Sequence, residues 1–164
     1  MNKLLAVLCL FGVISACSSP SEEDLLREPL ELQGIAPEAK LKKVWQYSLG
    51  KGQDDSYSEL QPFVYGGTLF AADSSGRVVS LDKRTGKKNW QITLKGGIQS
   101  GVAYGSNTVY VGLRQGVLVA LADDSGAEKW RNDIGAEILA PAAVARGIVI
   151  VQTLNGIVLG LSAD

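Results

Sequence analysis

The sequence predicts an all-β fold assembled from four-stranded antiparallel units, and three observations predict it. The chain repeats itself every 40 residues: Gly76, Gly116 and Gly156 fall at that interval, as do Leu81, Leu121 and Leu161, and the pairs Gly86 with Gly126 and Trp90 with Trp130. Each apolar run inside a repeat is short, rich in β-branched and aromatic side chains, and fenced by Gly, Asn, Asp or Ser. That is the signature of short strands closed by turns. No segment after residue 40 sustains the hydrophobic period of a helix.

The N-terminus precedes this pattern and obeys different rules. Lys3 gives a positive start, Leu4 to Ile14 is apolar except for Gly12, and the small residues Ser15 and Ala16 lead to Cys17. Residues 1–16 therefore read as an export signal, too short to span a bilayer stably. The string Ile14-Ser15-Ala16-Cys17 resembles the lipobox of bacterial lipoproteins, with Ile standing three residues before the cysteine where Leu is usual. That resemblance implies cleavage ahead of Cys17 and lipidation of Cys17, where several acyl chains hold a membrane far better than one. Ser18 follows the cysteine; the absence of Asp there implies the outer membrane. Cys9 departs with the signal, so the mature chain is expected to contain no disulfide.

Residues 17–40 read as the lipidated N-terminus and a flexible tether. Ser18 to Asp24 is small, polar and acidic. Ser21 and Asp24 have capping-box spacing ahead of Leu25-Leu26, but Pro29 would cut a helix within two turns.

Residues 41–164 carry the repeat, and each repeat resolves into four strands. The first is expected near Phe63–Tyr65, Val102–Tyr104 or Ala142–Ala145, and the second in the runs at Leu69, Val109 and Val149. The third ends at Leu81, Leu121 and Leu161, and the fourth carries Trp90 or Trp130. Four antiparallel strands per unit of this length make a β-propeller blade, so the chain is expected to form about three blades of an incomplete ring. Lys42 to Leu49, with Trp45, echoes Lys87 to Leu94 as an extra copy of the Trp strand. The recurring Trp suits packing between blades, its N–H needing a partner once buried. Gly76, Gly116 and Gly156 suit tight turns of positive φ. Positions 80, 120 and 160 are Ser, Ala and Gly, as a crowded neighbour or a narrow inner channel would require.

Composition excludes several functions. A net charge of -1 gives no basis for charge-driven nucleic-acid binding, and the chain contains no His. Ser-His-Asp and Cys-His catalysis and His-ligated metal sites are thereby ruled out. Asp73, Asp82, Asp123, Asp124 and Asp133 sit at strand ends or turns, where Asp serves backbone hydrogen bonding. Gly50-Lys51-Gly52 and Lys95-Gly96-Gly97 precede no helix and lack the P-loop ending, so they read as loops between blades. No catalytic, cofactor-binding or metal-binding residue, no cofactor and no small-molecule substrate is expected.

Thr85-Gly86 and Ser125-Gly126, each followed four residues after the Gly by Trp, resemble the blade motif of the quinoprotein, or PQQ-like, propellers. WD40 blades differ, because Trp45, Trp90 and Trp130 are followed by Gln, Gln and Arg. The lipobox, the acidic tether, Gly50-Lys51-Gly52 and Tyr57-Ser58-Glu59-Leu60-Gln61-Pro62 narrow the resemblance. So do Ala71-Ala72-Asp73, Glu137-Ile138-Leu139-Ala140-Pro141 and Thr153-Leu154-Asn155-Gly156. Together they resemble the N-terminal part of the BamB family, propeller lipoproteins of the outer-membrane β-barrel assembly machinery. The resemblance implies a non-enzymatic scaffold on the periplasmic face of the outer membrane. Its partners would be BamA, through the POTRA domains, and the Bam complex. Contacts with BamA are implied to lie past Asp164, and the chain is expected to be a piece, or a truncated frame, of a longer protein. The alternative is part of a PQQ-dependent dehydrogenase or another propeller lipoprotein.

Overall fold

A computed structural model describes residue 34, residues 39–53 and residues 59–164. The export signal, Cys17 and nearly all of the tether lie outside the described residues, as do Tyr57 and Ser58 of the Tyr57 to Pro62 string. Residues Leu41–Asp164 form one compact unit.

That unit contains three antiparallel sheets in sequence order. The first comprises β1 (Phe63–Tyr65), β2 (Thr68–Ala72), β3 (Arg77–Asp82) and β4 (Lys88–Thr93). The second comprises β5 (Ala103–Gly105), β6 (Thr108–Gly112), β7 (Val117–Ala122) and β8 (Glu128–Asp133). The third comprises β9 (Ala143–Ala145), β10 (Ile148–Gln152) and β11 (Val158–Ser162), in the spatial order β9, β10, β11. Each sheet is a meander, and the β-propeller blades expected from the 40-residue period are present. Neighbouring blades come together at their first strands, β1 on β5 and β5 on β9.

The turns repeat as faithfully as the strands. In each blade the residue after the second strand donates its N–H across the hairpin: Asp73 to Arg77, Leu113 to Val117, Thr153 to Ile157. The glycine three residues later closes the loop, Gly76 to Asp73, Gly116 to Leu113 and Gly156 to Thr153. All three glycines have positive φ, 99°, 77° and 86°, a region that costs an L-residue roughly 1–2 kcal/mol. The ladder of the third and fourth strands slips by one residue after Ser80↔Trp90 and Ala120↔Trp130. This bulge lets the outer strand twist away from the ladder.

Burial depends on how many blades flank a strand. All of β6 is buried and β7 is buried through its centre, because the second blade is covered on both faces. In β10 and β11, of the same residue types, burial alternates, because only one face is covered. One core lies between the first two blades, built on Phe70, Val78, Trp90, Val109, Val111 and Leu121. A second lies between the next two, built on Tyr110, Leu118, Ala120, Val149 and Val151.

Position 80 is small because of its row and not because of an inner channel. Ser80 lies between Phe70 and Trp90 in register, and Ala120 between Tyr110 and Trp130. The flanking rings approach to 6.0 and 5.7 Å over the small residue, so a larger side chain would have nowhere to go.

One expectation needs correction. Residues 42–49 form no strand, although they copy the Trp strand. A strand exists through its ladder, and among the described residues nothing pairs with this segment. Its side chains nonetheless keep the strand alternation, with Trp45, Tyr47 and Leu49 half-buried and Gln46 and Ser48 exposed.

Candidate functional site

The tryptophans join each blade to the next. Trp90, on β4, donates its indole N–H to the Asp123 carbonyl of the second blade at 2.7 Å. Trp130, on β8, donates to the Ala163 carbonyl at 3.2 Å, and Trp45 donates to the Lys83 carbonyl at 2.9 Å. The acceptors Lys83, Asp123 and Ala163 are themselves one repeat apart. Beneath the Trp45 and Trp90 rings lies the glycine of a Thr/Ser-Gly turn. A Cβ on Gly86 would fall 2.6 Å from the Trp45 ring, and one on Gly126 would fall 2.7 Å from that of Trp90. The sequence marked Gly86 and Gly126 as repeat positions without indicating that they are landing sites for the rings.

The aspartates divide between turn chemistry and one further role. Asp73 is buried, and its Oδ1 accepts from the backbone N–H groups of Ser75 and Arg77 and from the Ser75 hydroxyl. Its Oδ2 accepts from the Lys51 N–H at 3.2 Å, which ties the Gly50-Lys51-Gly52 loop to the first blade. Asp82 accepts from the N–H groups of Arg84 and Thr85, and Asp133 from that of Gly135. Asp123 has a different role: its Oδ2 accepts from the Tyr104 hydroxyl at 2.9 Å.

Burial alone would push the Asp73 carboxyl up, but the Ser75 hydroxyl and three backbone N–H donors outweigh it and hold the group below its ordinary value. A folded-state value lowered in this way contributes stability that is complete above the unfolded-state value and is lost as pH falls through the folded one. Thermal unfolding is therefore expected to shift downward as pH falls below about 4, the ordinary carboxyl range. Asp73→Asn should flatten that acid limb, and an unchanged limb in melting curves would show that other carboxyls control it.

Tyr104 organises a cleft of about 230 Å³ between the first two blades, lined by Tyr65, Phe70, Ser80, Asn89, Tyr104 and Asp123 among others. Its ring stacks on those of Tyr65 and Phe70, with centroids 4.6 and 5.5 Å apart. Burial, then the hydrogen bond and charge of Asp123, push its hydroxyl up to about 12. It remains a protonated donor at neutral pH and cannot serve as a base there. The cleft thus offers aromatic faces beside the Asp123 carboxylate, which is already hydrogen-bonded within the fold. Among the described residues, no group of three or more His, Cys, Asp or Glu is placed to hold a metal ion. Sequence reasoning missed the Tyr104 cluster, since position 65 becomes Gly105 and Ala145 in the following repeats and no periodicity marks it.

Antiparallel blades, each joined to the next by an indole N–H that donates to a turn carbonyl, define a β-propeller of the PQQ-like type. A family model described as outer membrane protein assembly factor BamB matches residues 75–164, and the chain belongs to that family. A second model, the β-propeller domain of glucose/ethanol/alcohol dehydrogenases, matches residues 32–104. The outer membrane protein assembly factor BamB of Burkholderia pseudomallei is 31% identical over 96% of this chain and 40% of its own length. The crystal structure of BamB from Moraxella catarrhalis matches with a TM-score of 0.58 and 31% identity, over 63% of this chain and 32% of that one. A quinohemoprotein alcohol dehydrogenase from Pseudomonas putida HK5 matches with a TM-score of 0.61 at 22% identity, over 73% of this chain and 20% of that one, a likeness of fold. The chain spans about two-fifths of the length of the assembly factors it matches.

Proposed function

We propose that this chain supplies the first blades of a non-enzymatic scaffold lipoprotein of the outer-membrane β-barrel assembly machinery. Lipidated at Cys17, it would sit on the periplasmic face of the outer membrane, bind BamA through the POTRA domains, and assist insertion of β-barrel proteins. The observation that carries this reading is the BamB family match over residues 75–164, on blades whose conspicuous side chains all serve blade packing. The lipobox ending at Cys17 supports the anchoring. Rigid blades presenting turns to solvent are well suited to partner binding, because the scaffold pre-organises the loops.

A dehydrogenase reading has one observation in its favour, the family match over residues 32–104. Against it, the carboxylates around the cleft are already hydrogen-bonded within the fold, and Tyr104 is held protonated. One experiment separates the readings. The full-length protein to which these blades belong, tagged and purified from its own host's membranes, is expected to bring BamA with it and to carry acyl groups on an N-terminal Cys17 by mass spectrometry. Added PQQ and Ca²⁺ should confer no dye-linked alcohol oxidation. Quinone-dependent turnover, or recovery without BamA, would remove the scaffold reading.

A further inference from the structure

The cleft between the first two blades has both of its walls in place, β1 to β4 on one side and β5 to β8 on the other. Asp123 and Asp124 line it, and no lysine or arginine does. Each carboxylate has one oxygen engaged within the fold. Asp123 Oδ2 accepts from Tyr104, and Asp124 Oδ1 accepts from the Ser125 hydroxyl at 2.8 Å. The second oxygen of each receives no hydrogen bond among the described residues. Asn89 donates its amide N–H to the buried Ser80 hydroxyl at 3.2 Å, which leaves its own oxygen as a further acceptor. The cleft is therefore negative and rich in acceptors, with aromatic rings beside them.

The 40-residue repeat shows what such a place takes. One period on, Asn89 becomes Lys129 and Thr68 becomes Thr108. The Lys129 ammonium donates to the Thr108 hydroxyl at 2.7 Å and to the Asn107 carbonyl at 3.0 Å. The second blade thus carries its own cation where the first has a neutral amide, and Thr68 lines the cleft without that donor. The surroundings change in the opposite sense: Asp123, Tyr104 and Tyr65 become Ala163, Val144 and Gly105. Where the chain supplies the cation, this carboxylate and the tyrosine rings are missing. Where it supplies them, the cation is missing.

Size and chemistry select the cation. The cleft of about 230 Å³ falls below the roughly 300–1,000 Å³ of pockets for drug-sized molecules, and suits a single side chain. Calcium takes about 6–8 oxygen ligands, and no group of three or more carboxylates gathers among the described residues. A guanidinium has a flat face that stacks on an aromatic ring and a rigid fork of N–H donors for carboxylate oxygens. Tyr65 supplies the ring, 61% exposed and stacked on Tyr104 at 4.6 Å.

We propose that the cleft between the first two blades is a recognition site for an arginine side chain of a partner polypeptide, its guanidinium lying on Tyr65 and donating to Asp123 and Asp124. The site is independent of the assembly role proposed above.

The test uses the full-length protein to which these blades belong, in mild detergent, titrated with acetyl-Gly-Arg-Gly-amide and followed by ligand-observed NMR. Saturable binding is expected, about tenfold or more tighter than that of the citrulline peptide, which keeps the shape and lacks the charge. The lysine peptide should bind about threefold or more weakly, because an ammonium has no flat face to stack. Asn89→Lys installs the cation that the second blade carries. It should weaken the arginine peptide about tenfold or more and leave the thermal unfolding midpoint in place. Asp124→Asn, at an exposed position, should weaken the peptide about threefold or more. No binding of the arginine peptide, equal binding of the citrulline or lysine peptide, or undiminished binding by both variants overturns the proposal. So does tighter binding of free L-arginine than of the peptide.

Discussion

Trp90→Ala is expected to destabilise the unit by about 3–5 kcal/mol, the range for removing a large aromatic from a packed core. Trp90 is nearly buried, lies 6.0 Å from the Phe70 ring, and covers Gly126 of the next blade. Alanine removes the ring and leaves the Asp123 carbonyl without its donor, and the glycine beneath cannot refill the space. Trp90→Phe separates the contributions: it keeps most of the ring and loses the N–H, worth about 0.5–1.5 kcal/mol for an ordinary hydrogen bond. Urea denaturation measures both. A cost below about 1 kcal/mol for the alanine variant would mean that the first two blades are held by their first strands alone. Stability in a stack of blades is close to a sum over units and interfaces. Loss of this one interface should therefore broaden the transition and also lower its midpoint.

How much of this was legible in the sequence can be judged from individual positions. The strands were, because Gly76, Gly116 and Gly156 mark the turns and β-branched runs fill the intervals, a signal that depends on local chemistry alone. The strand at Trp45 was misread for the complementary reason. Its residues are those of a fourth strand, but a ladder needs a neighbour, and sequence similarity supplies none. Burial was legible only in part. Val111 and Val151 are both buried, whereas Tyr110 is buried and Ile150 is exposed. The difference lies in what covers that face, which no pattern within a repeat encodes. The Tyr65–Tyr104 stack and the Asp123 to Tyr104 bond were invisible because they join positions that change identity from blade to blade. Repetition revealed what every blade shares, and the cleft is built from what they do not.

The glycines of the three turns give the second large expected effect, and they differ although their backbone angles are alike. A Cβ on Gly76 would lie 2.1 Å from the Leu94 carbonyl oxygen, and one on Gly116 would lie 2.6 Å from that of Ala136. At Gly156 nothing lies within 4 Å. All three substitutions carry the strain of positive φ, roughly 1–2 kcal/mol. At Gly76 a backbone displacement is added, because Leu94 also donates its N–H to the Gly76 carbonyl and cannot move without breaking that bond. Overpacking of this kind adds about 1–3 kcal/mol. Gly76→Ala is therefore expected to cost about 2–5 kcal/mol in all, against about 1–2 kcal/mol for Gly156→Ala. Equal costs in urea denaturation would show that turn strain dominates and that close approach of the fourth strand contributes little.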